Sequence, residues 1–547
     1  MSLRASVLAA LEASAGRPLI TVLGRRKRAA DYSGEQLLSQ ARGRAQAWAE
    51  LFGAGPHVLV AALPAGEGFL FTLLAALIGE HTLVPIAPPR PADAPDQLRH
   101  IAENCGATAV LCTAAQREGI VARLRTADGR PSCPVVAIDA PNEPVVAVAR
   151  SGLPGIPIIQ HTSGSTRHPK AVPIDAAQIR ANCALIQRLW GMDEHTVMVN
   201  WLPHYHDMGL MGCILYPLLS GARSIQMSPF EMIRNPLSWL RAVSDYRGSF
   251  SGGPAFAFQE CLSRVGQEQC EGLDLSSWQR AFCGAEPVPA GLLERFRQRF
   301  GRYGLAPDAV FACYGMAEFT LFAAGEPGRQ PDTPSASAAH AAVEPCVLGE
   351  ETRRSIRISD PDTGAALPDG RQGEIWLSGA STSRAYLGLP DESARTFDNE
   401  TEDLRWLRTG DLGVVHGDLL YVTGRRKDVV IVNGRKIAAA EIEWLAAQQD
   451  AALNPMAAAA FMPPGAANGH AVLCIELRPG HAPQGDTGPV ADRIRRAVAG
   501  AWSIELTDVH ILPRGTLART SSGKVRRQHI AEAYPAFAAG LAEEAVQ

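Results

Sequence analysis

Short runs in which nearly every residue is apolar alternate with helical stretches along the first part of this chain. They fall at 57–63, 82–86 and 107–111, and the pattern continues at 197–202 and 309–312. A strand with no polar face has to be covered on both sides. A parallel sheet with helices packed on each face meets that condition, so the expectation is an α/β fold. The stretch FLFTLLAALI at 69–78, flanked by Glu67 and Glu80, reads as one of the buried helices. At about 1.5 Å per residue it is too short for a bilayer core of about 30 Å. With 547 residues the chain exceeds one ordinary core and implies two or three folding units.

The texture changes along the chain. Residues 322–347 are rich in Ala, Pro, Ser and Gly and read as a long loop. From Arg354 onward RSIRISD, GEIWLSG and LLYVTGR are short, β-rich and separated by turn residues, as in a small β subdomain. After Gly424 a compact tail follows, with a strand at 429–432, a helix at 439–449, a strand at 471–477 and a helix at 490–504. The boundary is placed near Lys427, separating a large domain at 1–426 from a small α+β domain at 427–547.

Composition removes several classes. Hydrophobic residues make up 46% and charged residues 20%, a globular profile, not a disordered one. A net charge of -4 excludes a globally basic nucleic-acid binder. The eleven cysteines are scattered with no C-x-x-C pair, which argues against a disulfide framework or zinc site and fits a reducing compartment. The N-terminal apolar run is short and broken by Glu12, so it reads as an amphipathic helix and not a signal peptide. The expectation is a cytoplasmic protein with no nucleic-acid partner and no membrane insertion.

Of the 52 basic residues only five are lysines: Lys27, Lys170, Lys427, Lys436 and Lys524. A chain that uses Arg wherever any cation will serve keeps Lys where a compact ammonium on a thin stem is needed. Lys27 sits in a basic cluster, where chance survival explains it. The other four lie in Gly-containing segments, where chance explains them less well.

Those segments form an ordered set. In the first, an apolar strand leads into IIQHTSGSTRHPK, where Thr162, Ser163, Gly164, Ser165 and Thr166 offer hydroxyls and backbone N–H groups to a phosphate chain and Lys170 adds charge. It is not the G-x-x-x-x-G-K-[ST] P-loop. In FACYGMAE an aromatic, Tyr314, can stack on a nucleobase, and Glu318 can hold Mg²⁺ near phosphates. In LRTGDLG, Asp411 follows what reads as a Thr-Gly turn and can accept ribose hydroxyls. GRRKD joins the β subdomain to the tail, and SSGK lies near the C-terminus. Each alone is a common loop feature.

Together, in this order, the five resemble the core motifs of the adenylate-forming superfamily, over roughly residues 10–535. WLPHYHDMGL (201–210), SGGP (251–254), CGAEPV (283–288) and YGMAE followed by FTL are similar more narrowly to fatty acyl-AMP ligases. The resemblance implies a large N-terminal domain of two α/β subdomains and a β-barrel, followed by a small mobile C-terminal domain. It implies ATP-dependent activation of a carboxylic acid to acyl-AMP, with Mg²⁺. The acyl group then passes to the phosphopantetheine thiol of a discrete acyl carrier protein, because the chain ends soon after Lys524 with no carrier domain appended. An acyl-CoA ligase, with coenzyme A as acceptor, and a nucleotide-binding protein without activity are the alternatives.

By the same resemblance, the loop from Thr162 to Lys170 holds the β,γ-phosphates. Tyr314, Gly315 and Met316, with a strand carrying Gly284, Ala285 and Glu286, flank the adenine. Glu318, with Thr162, binds Mg²⁺, and Asp411 and Arg425 bind the ribose. Lys524 reaches both the substrate carboxylate and the α-phosphate, so that Lys524, Glu318 and Lys170 form the catalytic set. Lys427 is the hinge, and Lys436, in a turn, faces the site in a second pose. His206 is assigned to the acyl substrate and not as a base, since an ionised carboxylate needs none. Met208, Gly209, Gly253, Phe256 and Met316 are expected as tunnel walls.

The sequence also departs from that family. The segment after Leu321 that in the family restrains the C-terminal domain is shortened, and Cys346 opens an altered strand, CVLGEETR. Ala255 stands where many relatives carry Asn, which is expected to change the pocket wall and to suit a short, polar or unusual acid.

Overall fold

A computed structural model describes residues 2–24, 29–90, 93–94, 96–140, 153–162, 169–328, 343–401, 404–432, 435–464, 470–478, 480–481, 487–519 and 524–544. The apolar runs become the strands of two sheets. One has the order Val310–Ala312, Arg280–Cys283, Phe250–Gly253, Val197–Asn200, Arg223–Gln226, Pro18–Leu23, Ala29–Ser33. Its pairs are parallel except for the last, where Ala29–Ser33 folds back on Pro18–Leu23. The other has the order Val135–Ala137, Ala109–Cys112, Val58–Ala61, Thr82–Pro85, Ile158–His161, Ala171–Ile174. It too is parallel apart from a terminal hairpin, Ile158–His161 against Ala171–Ile174.

The helices between these strands carry their own start signals. Ser33 and Gln36 form a reciprocal capping box at the start of Gly34–Phe52, and Asp175 and Gln178 do the same for Ala176–Trp190, which stops at Gly191 with φ +75°. The helix Glu67–Ile78 is buried at every residue from Phe69 to Ile78. It packs against Gly34–Phe52, where Arg44 donates to the Gly68 carbonyl at 2.7 Å and to Thr72 Oγ1 at 2.6 Å. Among the described residues no helix is long and apolar enough to cross a membrane.

A third, antiparallel sheet has the order Cys346–Val347, Leu419–Arg425, Leu404–His416, Gly373–Leu377, Ile356–Ser359. Its described ladders do not close on themselves. Two expectations change here. The stretch 322–347 is not all loop: Phe322–Ala324 pairs with Tyr314–Gly315, and Cys346–Val347 pairs with Leu419–Arg425, while 329–342 lies outside the described residues. The Thr409-Gly410 step is not a turn between strands. It lies inside the strand Leu404–His416, where the Thr409 hydroxyl donates to the Ile375 carbonyl at 2.6 Å and the Gly410 N–H donates to Glu374 Oε1 at 3.1 Å.

The C-terminal residues build two smaller apolar cores, both drawn from residues between Val430 and Tyr534. The hairpin Val429–Val432 with Arg435–Ala438 precedes a sheet of Leu453–Phe461, Ala471–Leu477 and Leu506–Leu512. The first and last strands of that sheet are absent from the sequence reading. Leu453–Phe461 contains a run of four alanines, the best helix former in isolation. Burial of all of Ala457–Ala460 against Ala471–Leu477 decides for strand. All eleven cysteines are free thiols.

Candidate active site

Residues just beyond the C-terminal ends of strands in both parallel sheets, including Leu63, Thr113, Ile138, Trp201, Pro254 and Ala285, line one cleft of about 2770 Å³. That is where open α/β sheets bind ligands. The volume exceeds the 300–1,000 Å³ or so of an ordinary small-molecule pocket and leaves room for more than one reactant. The antiparallel sheet and the C-terminal residues form the rest of its wall, including Asp411, Arg425, Lys427 and Lys524.

Two glycines allow one side of the cleft to close up. A Cβ on Gly284 would lie 2.3 Å from the Cys313 carbonyl oxygen, and one on Gly315 would lie 1.7 Å from that of Leu321. The strand Arg280–Cys283 ends before Gly284, so Gly284, Ala285 (φ +68°) and Glu286 are the turn beyond it and not part of the strand. This turn brings Ala285 and Glu286 onto the wall beside Tyr314, Gly315 and Met316.

The interruption in Leu404–His416 aims the next group. Trp376 faces Arg408, but Glu374 faces Leu412, so this strand carries extra residues at a bulge. Gly410 takes φ +71°, Thr409 Oγ1 donates to the Ile375 carbonyl at 2.6 Å, and the Asp411 N–H donates to Thr409 Oγ1 at 3.0 Å. Asp411 is thereby held with one oxygen 2.8 Å from the Tyr314 hydroxyl and the other 3.0 Å from Arg425 Nε.

Lys170 and Glu318 are joined through a residue that sequence reasoning missed. The Tyr386 hydroxyl donates to Glu318 Oε1 at 2.9 Å, and the Lys170 ammonium sits over the Tyr386 ring, 4.6 Å from its centroid. Lys170 also pairs with Glu392, likewise missed. Burial pushes the Glu318 carboxyl up, while Tyr386, Arg425 and Lys170 pull it back. Thr162 lies at the neck of the loop, its N–H bonded to the Lys170 carbonyl at 2.9 Å. Ser163, Gly164, Ser165 and Thr166 lie outside the described residues, as does the Lys436 side chain.

Lys524 enters this cleft from near the C-terminal end of the chain. Burial and the Arg425 charge lower its pKa, against the carboxylates of Glu286, Asp207 and Asp411. Burial raises the Glu286 carboxyl, with Lys524 the main charge opposing it; its Oε1 accepts the Phe256 N–H at 3.2 Å. Asp207 is the other missed acid. Burial would raise it, but His206, with Nδ1 2.6 Å away, and the Met208 N–H at 2.7 Å hold it below the usual carboxylate range. Its position as N-cap before the apolar 208–215 run was a legible signal. Tyr386 and Glu392 gave none, since only folding brings them to Lys170.

Of the expected tunnel residues, His206, Met208, Phe256 and Met316 line the cleft, and Gly209 and Gly253 do not. A Cβ on Gly209 would meet the Pro203 carbonyl oxygen at 2.2 Å, and one on Gly253 would meet the Trp201 ring at 2.5 Å. They make room for the wall from behind. Ala255 is fully buried and is also not part of the lining, so its replacement of Asn does not reshape the wall directly.

A cation such as Mg²⁺ fits the oxygen donors present. Glu318 supplies a buried carboxylate and Thr162 a hydroxyl, the hard donors that this ion prefers. No group of three or more His, Cys, Asp or Glu side chains that could cage a metal occurs among the described residues, so phosphate oxygens would have to complete the shell.

Residues 12–387 match the family of AMP-binding enzymes. Over 531 residues the chain is 31% identical to a long-chain-fatty-acid–AMP ligase of Mycolicibacterium smegmatis, covering 86% of this chain and 84% of that one. It is 35% identical over 418 residues to a medium-chain-fatty-acid–acyl-carrier-protein ligase of Teredinibacter turnerae, covering 72% of this chain and 64% of the relative. Among solved structures, the fatty acyl-adenylate ligase from L. pneumophila in complex with acyl adenylate and pyrophosphate superimposes with a TM-score of 0.69 at 27% identity, covering 98% of this chain and 95% of that one.

Proposed function

Because this chain belongs to the AMP-binding enzyme family, we propose that it activates a fatty or related carboxylic acid with ATP. It then transfers the acyl group to the phosphopantetheine thiol of a separate acyl carrier protein. The observation that carries the reading is the approach of Lys524 to the cleft wall that holds Glu286, Asp207, Asp411 and Arg425. That approach supports a role for a lysine from near the C-terminal end between the carboxylate and the polyphosphate.

In the first step a carboxylate oxygen attacks the α-phosphorus, and the bond to the β-phosphate oxygen breaks, releasing pyrophosphate. Negative charge accumulates between two anions, so fixed positive charge there lowers the barrier most. Lys524 supplies it in a slender form that fits between them. Tyr314 and the turn at Ala285 and Glu286 take the adenine. Asp411 and Arg425 take the ribose. Lys170 binds the β,γ-phosphates, which would displace Glu392 from it. Mg²⁺, held by Glu318 and Thr162, would neutralise phosphate charge when bound.

In the second step the carrier's thiolate attacks the acyl carbonyl and AMP leaves. In this reading Lys524 serves the first step and is withdrawn from the cleft for the second. We take Lys427, which lines the cleft and is exposed, as the pivot that swings residues 427–547 out. The names of the relatives support fatty acid as substrate and a carrier protein as acceptor.

The test is ATP–pyrophosphate exchange across short, medium and long fatty acids, hydroxy acids, aryl acids and amino acids. Acceptor competition between a phosphopantetheinylated carrier protein and coenzyme A follows. Exchange peaking on a fatty acid and carrier outcompeting coenzyme A are the expected results. Preference for coenzyme A would move the protein to the acyl-CoA ligases, and exchange with no acid would remove the activity altogether.

A further inference from the structure

An ionised carboxylate needs no base to attack phosphorus, but the acceptor of the second step is a thiol, and only its thiolate is a good nucleophile. His206 lines the cleft, with its side chain 25% exposed. Its backbone is held at both ends: the N–H donates to the Pro203 carbonyl at 3.1 Å, and the carbonyl accepts the Leu210 N–H at 2.8 Å. The ring Nδ1 lies 2.6 Å from Asp207 Oδ1.

At that separation the two atoms share a proton, because a nitrogen lone pair facing a carboxylate oxygen would be repelled. Burial opposes the charge of Asp207, but His206, the Met208 N–H at 2.7 Å and Lys524 hold it below the usual carboxylate range, so it is ionised. The shared proton therefore belongs to Nδ1, and in the neutral ring Nε2 carries the lone pair. A carboxylate that fixes the tautomer and balances an imidazolium is the arrangement by which a histidine activates a nucleophile. Behind the pair the Tyr216 hydroxyl donates to Asn182 at 3.1 Å, and burial pushes its pKa well up, so it adds no charge.

The other acids on this wall are engaged elsewhere. Asp411 is bound to Tyr314 and Arg425, Glu318 accepts from Tyr386, and Glu286 accepts the Phe256 N–H. Lys524 offsets part of the Asp207 charge while it sits in the cleft. Its withdrawal for the second step leaves that charge to stabilise an imidazolium at His206.

We propose that His206, oriented by Asp207, is the general base of the second step and takes the proton of the incoming thiol. The S–H proton goes to Nε2, and sulfur forms its bond to the acyl carbon. The bond from that carbon to the phosphate oxygen of AMP breaks, AMP leaves with the electron pair, and the imidazolium releases its proton to solvent. The inference rests on the acyl-adenylating reading above. It adds to that site a catalytic residue, His206, and a positioning residue, Asp207.

The test forms enzyme-bound acyl-AMP from the acid most active in exchange and offers it two thiols in separate single-turnover reactions. Pantetheine is almost wholly protonated near neutral pH, and trifluoroethanethiol is far more acidic and partly ionised there. A base helps the protonated thiol most, so the wild type should use the two at rates within about tenfold of each other. His206→Gln should slow transfer to pantetheine by about 10²-fold more than it slows adenylation, and transfer to trifluoroethanethiol by about tenfold less than that. Asp207→Asn should show the same dependence on thiol acidity with a smaller loss, a pattern that mere loosening of the wall would not produce. His206→Gln slowing both thiols equally, or slowing transfer no more than adenylation, overturns this inference alone. So does wild-type transfer that follows the ionised fraction of each thiol, which decides even if the variants fail to fold. Wild-type protein that makes acyl-AMP but no thioester with either thiol overturns it too. Exchange with no acid at all overturns both readings.

Discussion

The Tyr314 hydroxyl donates to Asp411 at 2.8 Å, tying a short strand at the end of the parallel sheet to the bulge of the antiparallel one. Asp411 is 5% exposed and spends its other oxygen on Arg425. In the ribose-binding role proposed for Asp411, the contact presets the carboxylate. Tyr314→Phe keeps the ring and deletes the bond. A loss of about 1–1.4 kcal/mol for this one hydrogen bond, within the ordinary net range, corresponds to a KM for ATP raised about five- to tenfold. Steady-state kinetics with ATP varied reads this, and an unchanged KM would detach the pair from nucleotide binding.

Lys524→Ala should lower the adenylation rate by about 10²–10³, the range for a charge acting on the transition state at about 2–4 kcal/mol. ATP binding, followed by calorimetry, should survive. Lys524→Arg should not restore the rate, because the guanidinium fork is broad where the ammonium is slender. Near-normal exchange by Lys524→Ala would remove Lys524 from the mechanism.

Lys427→Pro should impair thioester formation more than adenylation, if rotation about this position separates the two steps. Single-turnover acyl-AMP formation and carrier loading measure the two steps separately. Equal loss in both would argue against a pivot.

Arg527 clamps Asp428 at 2.6 Å and Glu443 at 2.8 Å, so the residue after Lys427 and the helix Ala439–Ala447 share one cation. Glu443 is 6% exposed. Arg527→Leu leaves its charge buried and unpaired, and the loss expected in urea denaturation is about 2–4 kcal/mol. The double variant with Glu443→Leu should recover much of it. A single variant as stable as the wild type would show the clamp to be idle.

Glu441 has its carboxyl pushed up to about 7 by burial. A carboxylate with a raised folded pKa binds its proton more tightly folded than unfolded. Stability is therefore greatest below the unfolded value of about 4.5 and falls as pH rises toward 7. Glu441→Gln removes the ionisation, so it should unfold at higher denaturant than the wild type at pH 8, by about 1–3 kcal/mol. The two should converge near pH 4.5. A gap independent of pH would point to packing instead of charge.

How far the sequence reached depends on the kind of constraint. The parallel strands were legible because Val58–Ala61 and Ala109–Cys112 are apolar on both faces, and a two-sided core admits only such strands. Lys170, Glu318, Asp411 and Lys524 were singled out from ordered segments of the sequence, and all four line the cleft. Leu453–Phe461 was not, because local propensity in an alanine run favours helix and only burial against a neighbouring strand reverses it. The bulge at Gly410 was read as a turn because a glycine with positive φ serves both.

By itself, then, the sequence determined the α/β class, the order of the motifs and the chemical types at the site. These follow from side-chain period and from groups adjacent in the chain. Tertiary structure decided which groups meet. Tyr386 reaches Glu318 across 68 positions, and Tyr314 reaches Asp411 across 97. Pairing, burial and the direction a side chain faces are properties of the packed chain, and no local pattern encodes them.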